Sequence, residues 1–154
     1  MNVMAPTRPT ELRGSRVRLT TGPASAARAR RQVRAAICAW DVPVDQDVAV
    51  LLTSELVTNA IRHEVTGIVM LAITCSCGQL RVDVHDTSRA LPMLVEAPVD
   101  TEAGRGLMLV ATLSAEWGFY RTPAGKAVYF TLAFQPDLAE GDGRGPQGVQ
   151  AWGL

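Results

Sequence analysis

DQDVAVLLTSELVTNAIRH, residues 45–63, has the apolar spacing of an amphipathic helix but carries polar side chains within its apolar side. At about 100° per residue, Glu55 and Asn59 fall about 40° apart, between Leu51 and Leu56. Burying a carboxylate beside an amide is costly unless a partner satisfies both groups. The stretch therefore predicts a helix that presents Glu55 and Asn59 to a ligand or a metal ion. The alternative is a polar pair that nearby backbone groups satisfy.

The 154-residue chain has the composition of an ordinary soluble protein, with 47% hydrophobic residues and equal numbers of acidic and basic residues. This length suits one domain with a sizeable core. No apolar run approaches the roughly 18 residues of a membrane span, and no hydrophobic segment follows the N-terminal arginine to form a secretory signal. The three cysteines and two histidines do not have the spacing of a zinc site. We predict a cytoplasmic protein with reduced thiols.

Arginine is concentrated near the N-terminus, where eight of the fourteen arginines lie within residues 1–34 and Glu11 is the only acidic residue. A basic segment of this kind can bind nucleic acid. The same segment leads into Val33 and Ile37 at helical spacing, which favours a helix with one solvated, basic face. DNA binding is kept as a less favoured hypothesis.

The periodicity of the remaining chain predicts alternating helices and strands. An unbroken apolar run at Ile68–Cys75 indicates an interior strand. The predicted order is a strand at 16–19, a helix at 25–40, a helix at 45–63, strands at 68–75 and 80–86, a long loop at 87–105, a helix at 106–113, and strands at 116–121 and 127–134. Residues 1–13 and 136–154 are predicted to be disordered tails.

Two further features suggest a ligand site. Asp86 falls on the apolar phase of the strand that begins at Leu80, and a carboxylate at a strand end can accept hydrogen bonds from a ligand or hold a metal. Gly104-Arg105-Gly106 immediately precedes the predicted third helix, and a glycine-rich helix N-terminus beside an arginine suits phosphate. Taken singly, a strand-end aspartate is often solvated and a Gly-x-Gly is often a turn.

In this order, the three features resemble the compact ATP-binding domain shared by gyrase, histidine kinases and the bacterial anti-sigma serine kinases, known as the GHKL or Bergerat fold. The resemblance is carried by SELVTNAIRH (54–63), VHDTSRALP (84–92), GRGLMLVATLSAEWG (104–118) and GKAVYFTL (125–132). It covers about residues 20–135 and is strongest to the anti-sigma factor and serine kinase branch of actinobacteria.

The resemblance implies a two-layer α/β sandwich, in which helices cover one face of a mixed, mostly antiparallel sheet. Residues 14–135 would form the ATP-binding, kinase-like domain, with ATP and Mg²⁺ bound between helices and sheet under the loop at 93–105. Asn59 would coordinate the Mg²⁺ that bridges the phosphates. Glu55 would orient or deprotonate the attacking hydroxyl or water.

The same resemblance assigns the base and phosphate contacts. Asp86 would accept a hydrogen bond from the adenine amino group, Ser88 would lie in the same nucleotide-binding motif, and Thr131 would support adenine recognition through a water. The phosphate contacts would come from Gly104, Arg105 and Gly106, with the glycines allowing the lid to close and the arginine near the γ-phosphate. The base motif departs from the family's usual Asp-x-Gly-x-Gly, because Ser88 and Ala90 replace both glycines.

The favoured function is an anti-sigma factor that sequesters a sigma factor and phosphorylates a serine on an antagonist protein. The resemblance also implies a homodimer, formed through the N-terminal strand and the first helix. The alternative is a regulatory module without catalysis, in which bound ATP only switches the affinity for a partner. A histidine kinase is disfavoured, because the sequence has no helix with a phosphoacceptor histidine.

Overall fold

The computed structural model describes residues 12–89 and 102–136, the side chains of 102–105 excepted. Five strands and three helices occur within these ranges. In chain order they are β1 (Arg13–Thr20), α1 (Ser25–Ala39), α2 (Gln46–His63), β2 (Ile68–Ser76), β3 (Gln79–Asp86), α3 (Glu102–Leu113), β4 (Glu116–Arg121) and β5 (Lys126–Ala133).

The connection between α1 and α2 is fixed by local hydrogen bonds. Asp41 adopts a left-handed conformation (φ 54°) after the end of α1. The Val42 N–H donates to the Ile37 carbonyl at 3.0 Å, which closes the helix with the bond pattern of a Schellman motif. Asp45 then begins α2, because its carboxylate accepts hydrogen bonds from the N–H groups of Asp47 and Val48.

The strands form one sheet in the order β1-β2-β3-β5-β4. All four pairings in the described residues are antiparallel, which confirms the predicted two-layer α/β architecture but not its mixed component. Two hairpins, β2–β3 and β4–β5, are joined when β3 pairs with β5 at the centre of the sheet. The ends of β3 and β5 meet where Asp86 lies directly opposite Lys126.

One face of the sheet packs against the helices and the other does not. Alternate residues of the strands, such as Leu71, Val82 and Phe130, share one buried cluster with Val33 of α1 and Leu56 of α2. A sheet that is buried on one face has this alternation because successive side chains point to opposite sides.

The helix-free face carries a network of polar side chains. Arg81 donates two hydrogen bonds to the carboxylate of Asp83, at 2.8 and 3.0 Å. The Tyr120 hydroxyl donates to the same carboxylate at 2.8 Å, and the Arg81 guanidinium lies 4.0 Å from the centre of the Tyr129 ring. These bonds satisfy Asp83, which is only 6% exposed.

Candidate functional site

The C-terminal half of α2 carries the first predicted pair. Asn59 is only 8% exposed, and no hydrogen bond joins its side chain to another described residue. Glu55 lies one turn earlier and is half-buried. The buried side of α2 centres on Leu56, whereas Leu51 is 39% exposed. The pair therefore lies along one edge of the apolar stripe, not in its middle as predicted.

The start of α3 packs directly against this edge of α2. A Cβ atom at Gly106 would overlap the Oε1 atom of the Glu55 carboxylate, so the glycine lets this side chain lie directly against α3. The juxtaposition joins the first and third sequence motifs in one place. The Glu55 side chain is half-buried at this contact.

The prediction that Gly104-Arg105-Gly106 precedes the third helix is wrong, because α3 begins at Glu102. Gly104 and Arg105 instead lie in the first turn, where backbone N–H groups have no partner within a helix. The predicted role of the Arg105 side chain lies outside the described residues. So does most of the predicted lid, since residues 90–101 are outside the described ranges.

The end of β3 carries the second predicted feature. Asp86 is 3% exposed, as its place on the apolar phase predicts. Its Oδ1 atom accepts a hydrogen bond from the Ser88 N–H at 2.8 Å, which turns the chain away from the sheet. Both carboxylate oxygens also accept from the Lys126 ammonium, at 2.9 Å each. The backbone N–H of Ser88 is therefore the group that contacts Asp86.

Glu64 connects the C-terminal end of α2 to the end of β3. Its carboxylate accepts hydrogen bonds from the Thr87 N–H at 2.8 Å and the Thr87 hydroxyl at 2.7 Å, and also from Thr66. Burial alone would raise the pKa of Glu64, but the hydrogen bonds from Thr66 and Thr87 outweigh it and lower the pKa to about 2. Asn59 lies about 7.5 Å before Glu64 along the helix axis, so the end of α2 that carries Asn59 adjoins the end of β3 that carries Asp86.

Thr131 does not lie near Asp86 and Lys126 in the structure. Thr131 pairs with Arg81, about 17 Å along β5 from Lys126. Its side chain alternates with that of Phe130, which points into the core, so Thr131 lies on the helix-free face. This placement argues against the predicted contact with adenine.

Sequence reasoning missed the residues that surround Asp86. Lys126 is the only lysine of the chain, and it is 1% exposed. Lys126 falls on the same phase of β5 as Val128 and Phe130. A charged residue on an apolar phase was also the signal that identified Asp86 on β3. Gly125 was also missed: a Cβ atom there would overlap the backbone of Asp86 and Thr87.

Together these contacts define a two-layer α/β domain with a polar site between α2, the start of α3 and the ends of β3 and β5. The family model for the histidine kinase-like ATPase domain matches residues 19–132. No curated protein matches the chain. The chain belongs to the histidine kinase-like ATPase domain family, and all the site residues described above lie within the matched range.

Family membership implies that the chain binds ATP, and the residues present fit a nucleotide. Asn59 is only 8% exposed, and its side-chain amide makes no hydrogen bond to another described residue, so it is available to a ligand. Because the amide atoms of Asn59 are not fully buried, water or a ligand can complete their hydrogen bonds. None of the helices in the described ranges has the length and apolar character to cross a membrane.

Proposed function

We propose that the protein is an ATP-dependent anti-sigma factor that binds a sigma factor and phosphorylates a serine on an antagonist protein. The ATP-binding part rests on the family. The partners and the transfer reaction rest on the resemblance of the motifs around Glu55, Asp86 and Gly106 to the anti-sigma serine kinases.

The observation that best supports catalysis is the position of Glu55. Its half-buried carboxylate lies against Gly106 and one helical turn from Asn59. A carboxylate there can accept a hydrogen bond from an incoming serine hydroxyl and hold it in line with the γ-phosphorus. The serine oxygen bonds to the γ-phosphorus as the bond to the β–γ bridging oxygen breaks. ADP leaves, and the proton of the hydroxyl passes to Glu55 or to water.

Mg²⁺ would be held chiefly by phosphate oxygens and by the side-chain oxygen of Asn59. The described residues contain no group of three or more His, Cys, Asp or Glu side chains that could hold a metal. Mg²⁺ in nucleotide sites commonly takes only one or two protein ligands, so one amide is compatible with it. The metal would neutralise charge on the phosphates.

The test is phosphoryl transfer from γ-labelled ATP to purified candidate antagonists, in the presence of Mg²⁺. We expect labelled phosphoserine with the wild-type protein and at least a 100-fold lower rate with Glu55→Gln, while ATP affinity changes by less than about 3-fold. Sigma-factor binding is measured separately, by titration against purified sigma factors with ATP or ADP present.

Gly106→Ala provides a second variant that perturbs the same carboxylate indirectly. The added methyl group would displace the end of the flexible Glu55 side chain but not backbone, so stability should change by less than about 1 kcal/mol. Transfer should fall at least 10-fold. Gly22→Ala, where an added methyl group meets nothing within 4 Å, is the matched control and should retain full activity.

The alternative is a regulatory module that binds ATP without transferring phosphate. Sigma-factor binding that depends on ATP in both wild type and Glu55→Gln, with no labelled antagonist in either, would establish this alternative and exclude the kinase. Asn59→Ala should lose ATP-dependent binding of the sigma factor whether the protein is a kinase or a regulatory module without catalysis.

A further inference from the structure

Lys126 and Asp86 form a buried ion pair at the place where the nucleotide base is proposed to bind. The two residues are direct cross-strand neighbours at the ends of β3 and β5. Their side chains are 2% and 1% exposed, and the ammonium lies 2.9 Å from each carboxylate oxygen. The close contact between Gly125 and the backbone at Asp86 and Thr87 fixes the two strand ends against each other.

The pair does not satisfy all of its own hydrogen-bonding groups. An ammonium has three N–H donors, and within the described residues the Lys126 ammonium has only the Asp86 oxygens as acceptors. On Asp86, Oδ1 accepts from Lys126 and from the Ser88 N–H, whereas Oδ2 accepts only from Lys126 among the described residues. One donor and one acceptor therefore remain side by side.

A buried ion pair with an incomplete set of hydrogen bonds is expensive to maintain, because desolvation of two charges exceeds their mutual attraction unless further bonds complete them. A ligand that offers an acceptor next to a donor would complete this pair. The 6-amino group and the N1 atom of adenine have this arrangement on adjacent atoms of one edge. Guanine presents an acceptor (O6) and a donor (N1–H) in the same two positions. Its O6 would therefore face the Asp86 oxygen, which is also an acceptor, and its N1–H would face the Lys126 ammonium, which is also a donor.

We infer that Lys126 is a specificity-determining residue for the base, donating a hydrogen bond to N1 of adenine while Asp86 Oδ2 accepts one from the 6-amino group. This inference rests on the proposed ATP-binding function and names a contact within that site. It assigns to Lys126 the supporting role in base recognition that the sequence had suggested for Thr131.

The inference is tested by measuring the binding of three triphosphates to the wild-type protein by titration calorimetry. ATP is compared with 1-deaza-ATP, which has C–H in place of N1, and with purine riboside triphosphate, which lacks the 6-amino group. A hydrogen bond to a charged group predicts that each analogue binds about 10- to 100-fold more weakly than ATP. This comparison uses only the native chain.

Lys126→Met then shows which residue reads N1. It removes the ammonium while keeping a long, unbranched side chain, and the variant is checked for folding by circular dichroism. The variant should bind ATP and 1-deaza-ATP with affinities within about 3-fold of each other, while still discriminating against purine riboside triphosphate. Thr131→Val, a buried control on the other face, should keep the wild-type preference for ATP.

Loss of the Lys126 contact and loss of ATP binding give different experimental results. Equal wild-type affinity for ATP and 1-deaza-ATP would overturn the role of Lys126 and leave ATP binding intact. A wild-type preference that persists in Lys126→Met would also overturn it. If ATP itself does not bind, the proposed function fails, and the inference fails with it.

Discussion

At the scale of single residues, the site depends on two glycines that allow parts of the chain to touch. Gly106 lets α3 approach the Glu55 carboxylate, and Gly125 lets the turn before β5 approach the backbone of Asp86. The two contacts differ in what an added side chain would meet. At Gly106 it meets the end of a flexible side chain, whereas at Gly125 it meets backbone atoms, which cannot move without shifting a strand.

We expect Gly125→Ala to destabilise the protein by about 3 kcal/mol, because the new methyl group would overlap the Asp86 carbonyl oxygen and lie within 2.7 Å of the Thr87 carbonyl carbon. Unfolding in urea measures the loss. Gly22→Ala adds the same methyl group in open space and should change the free energy of unfolding by less than about 0.5 kcal/mol. Equal stabilities of the two variants would contradict the close approach.

At the scale of elements, the C-terminal end of α2 is tied to the end of β3 by a single carboxylate. Glu64 accepts from both the N–H and the hydroxyl of Thr87, and from Thr66 in the following turn. These bonds hold the end of α2 that carries Asn59 against the end of β3 that carries Asp86. They also make the connection sensitive to acid, since protonation removes the negative charge of the carboxylate and turns one of its oxygens into a donor.

The pKa of Glu64 is lowered from its ordinary value of 4.5 to about 2 in the folded protein. The unfolded chain therefore takes up this proton first, so the contribution of Glu64 to stability is complete above about pH 4.5 and is lost as the pH falls towards 2. Glu64→Gln should be less stable than wild type at neutral pH, and the difference should shrink across this window. Urea unfolding at several pH values measures it.

Thr87→Val is the companion variant for this prediction. It removes the hydroxyl that donates to Glu64 while keeping the backbone N–H. In the Thr87→Val background, the Glu64→Gln substitution should therefore cause a smaller pH-dependent change in the free energy of unfolding than it causes in the wild-type protein. A difference between wild type and Glu64→Gln that stays constant from pH 2 to 5 would contradict the lowered pKa.

Helices and strands were predicted from sequence mostly to within a few residues, because their periodicity comes from one buried face. The start of α3 was not predicted, because the two glycines looked like a helix boundary, although Thr101, a residue type that favours the N-cap, directly precedes Glu102 in the sequence. The end of α1 was correctly placed near Trp40, but it depends on the left-handed Asp41 and not only on Pro43.

The site was partly predictable for a related reason. Asn59 and Asp86 stand out because a polar residue interrupts an apolar phase within one element. The partners of Asp86 do not stand out locally, because Lys126 becomes its neighbour only through the pairing of β3 with β5. That pairing joins residues 40 positions apart, and the spacing within either strand carries no information about it.

At the scale of the whole molecule, the sheet separates two polar systems. The proposed nucleotide site lies on the helix-covered face, whereas Arg81, Asp83 and Tyr120 form their network on the other face. The hydrogen bond from Arg81 to Asp83 raises the pKa of Arg81, so the guanidinium stays charged at alkaline pH. The network can therefore stabilise the sheet without involving the ligand.

We expect Asp83→Asn to destabilise the protein by about 1–3 kcal/mol, since it weakens three hydrogen bonds to a buried carboxylate. ATP affinity, measured by calorimetry below the unfolding transition, should stay within about 2-fold of wild type, because no hydrogen bond between described residues joins the Asp83 network to the Asp86–Lys126 pair. Asp86→Asn is the matched variant on the other face and should weaken ATP binding at least 10-fold. A loss of affinity of that size in Asp83→Asn would show that the faces are coupled.

The central pairing of β3 with β5 also bears on how the chain is made. While the chain is being synthesised, the segment that ends at Asp86 is made well before Lys126. Until Lys126 is added, the Asp86 carboxylate has no counter-ion from β5, and the edge of β3 that pairs with β5 is unpaired. Long-range pairing of this kind closes late in folding. A ligand that requires both Asp86 and Lys126 would bind the complete, folded chain and would not bind fragments that end before Lys126. Occupancy of the site would therefore indicate that synthesis and folding are complete.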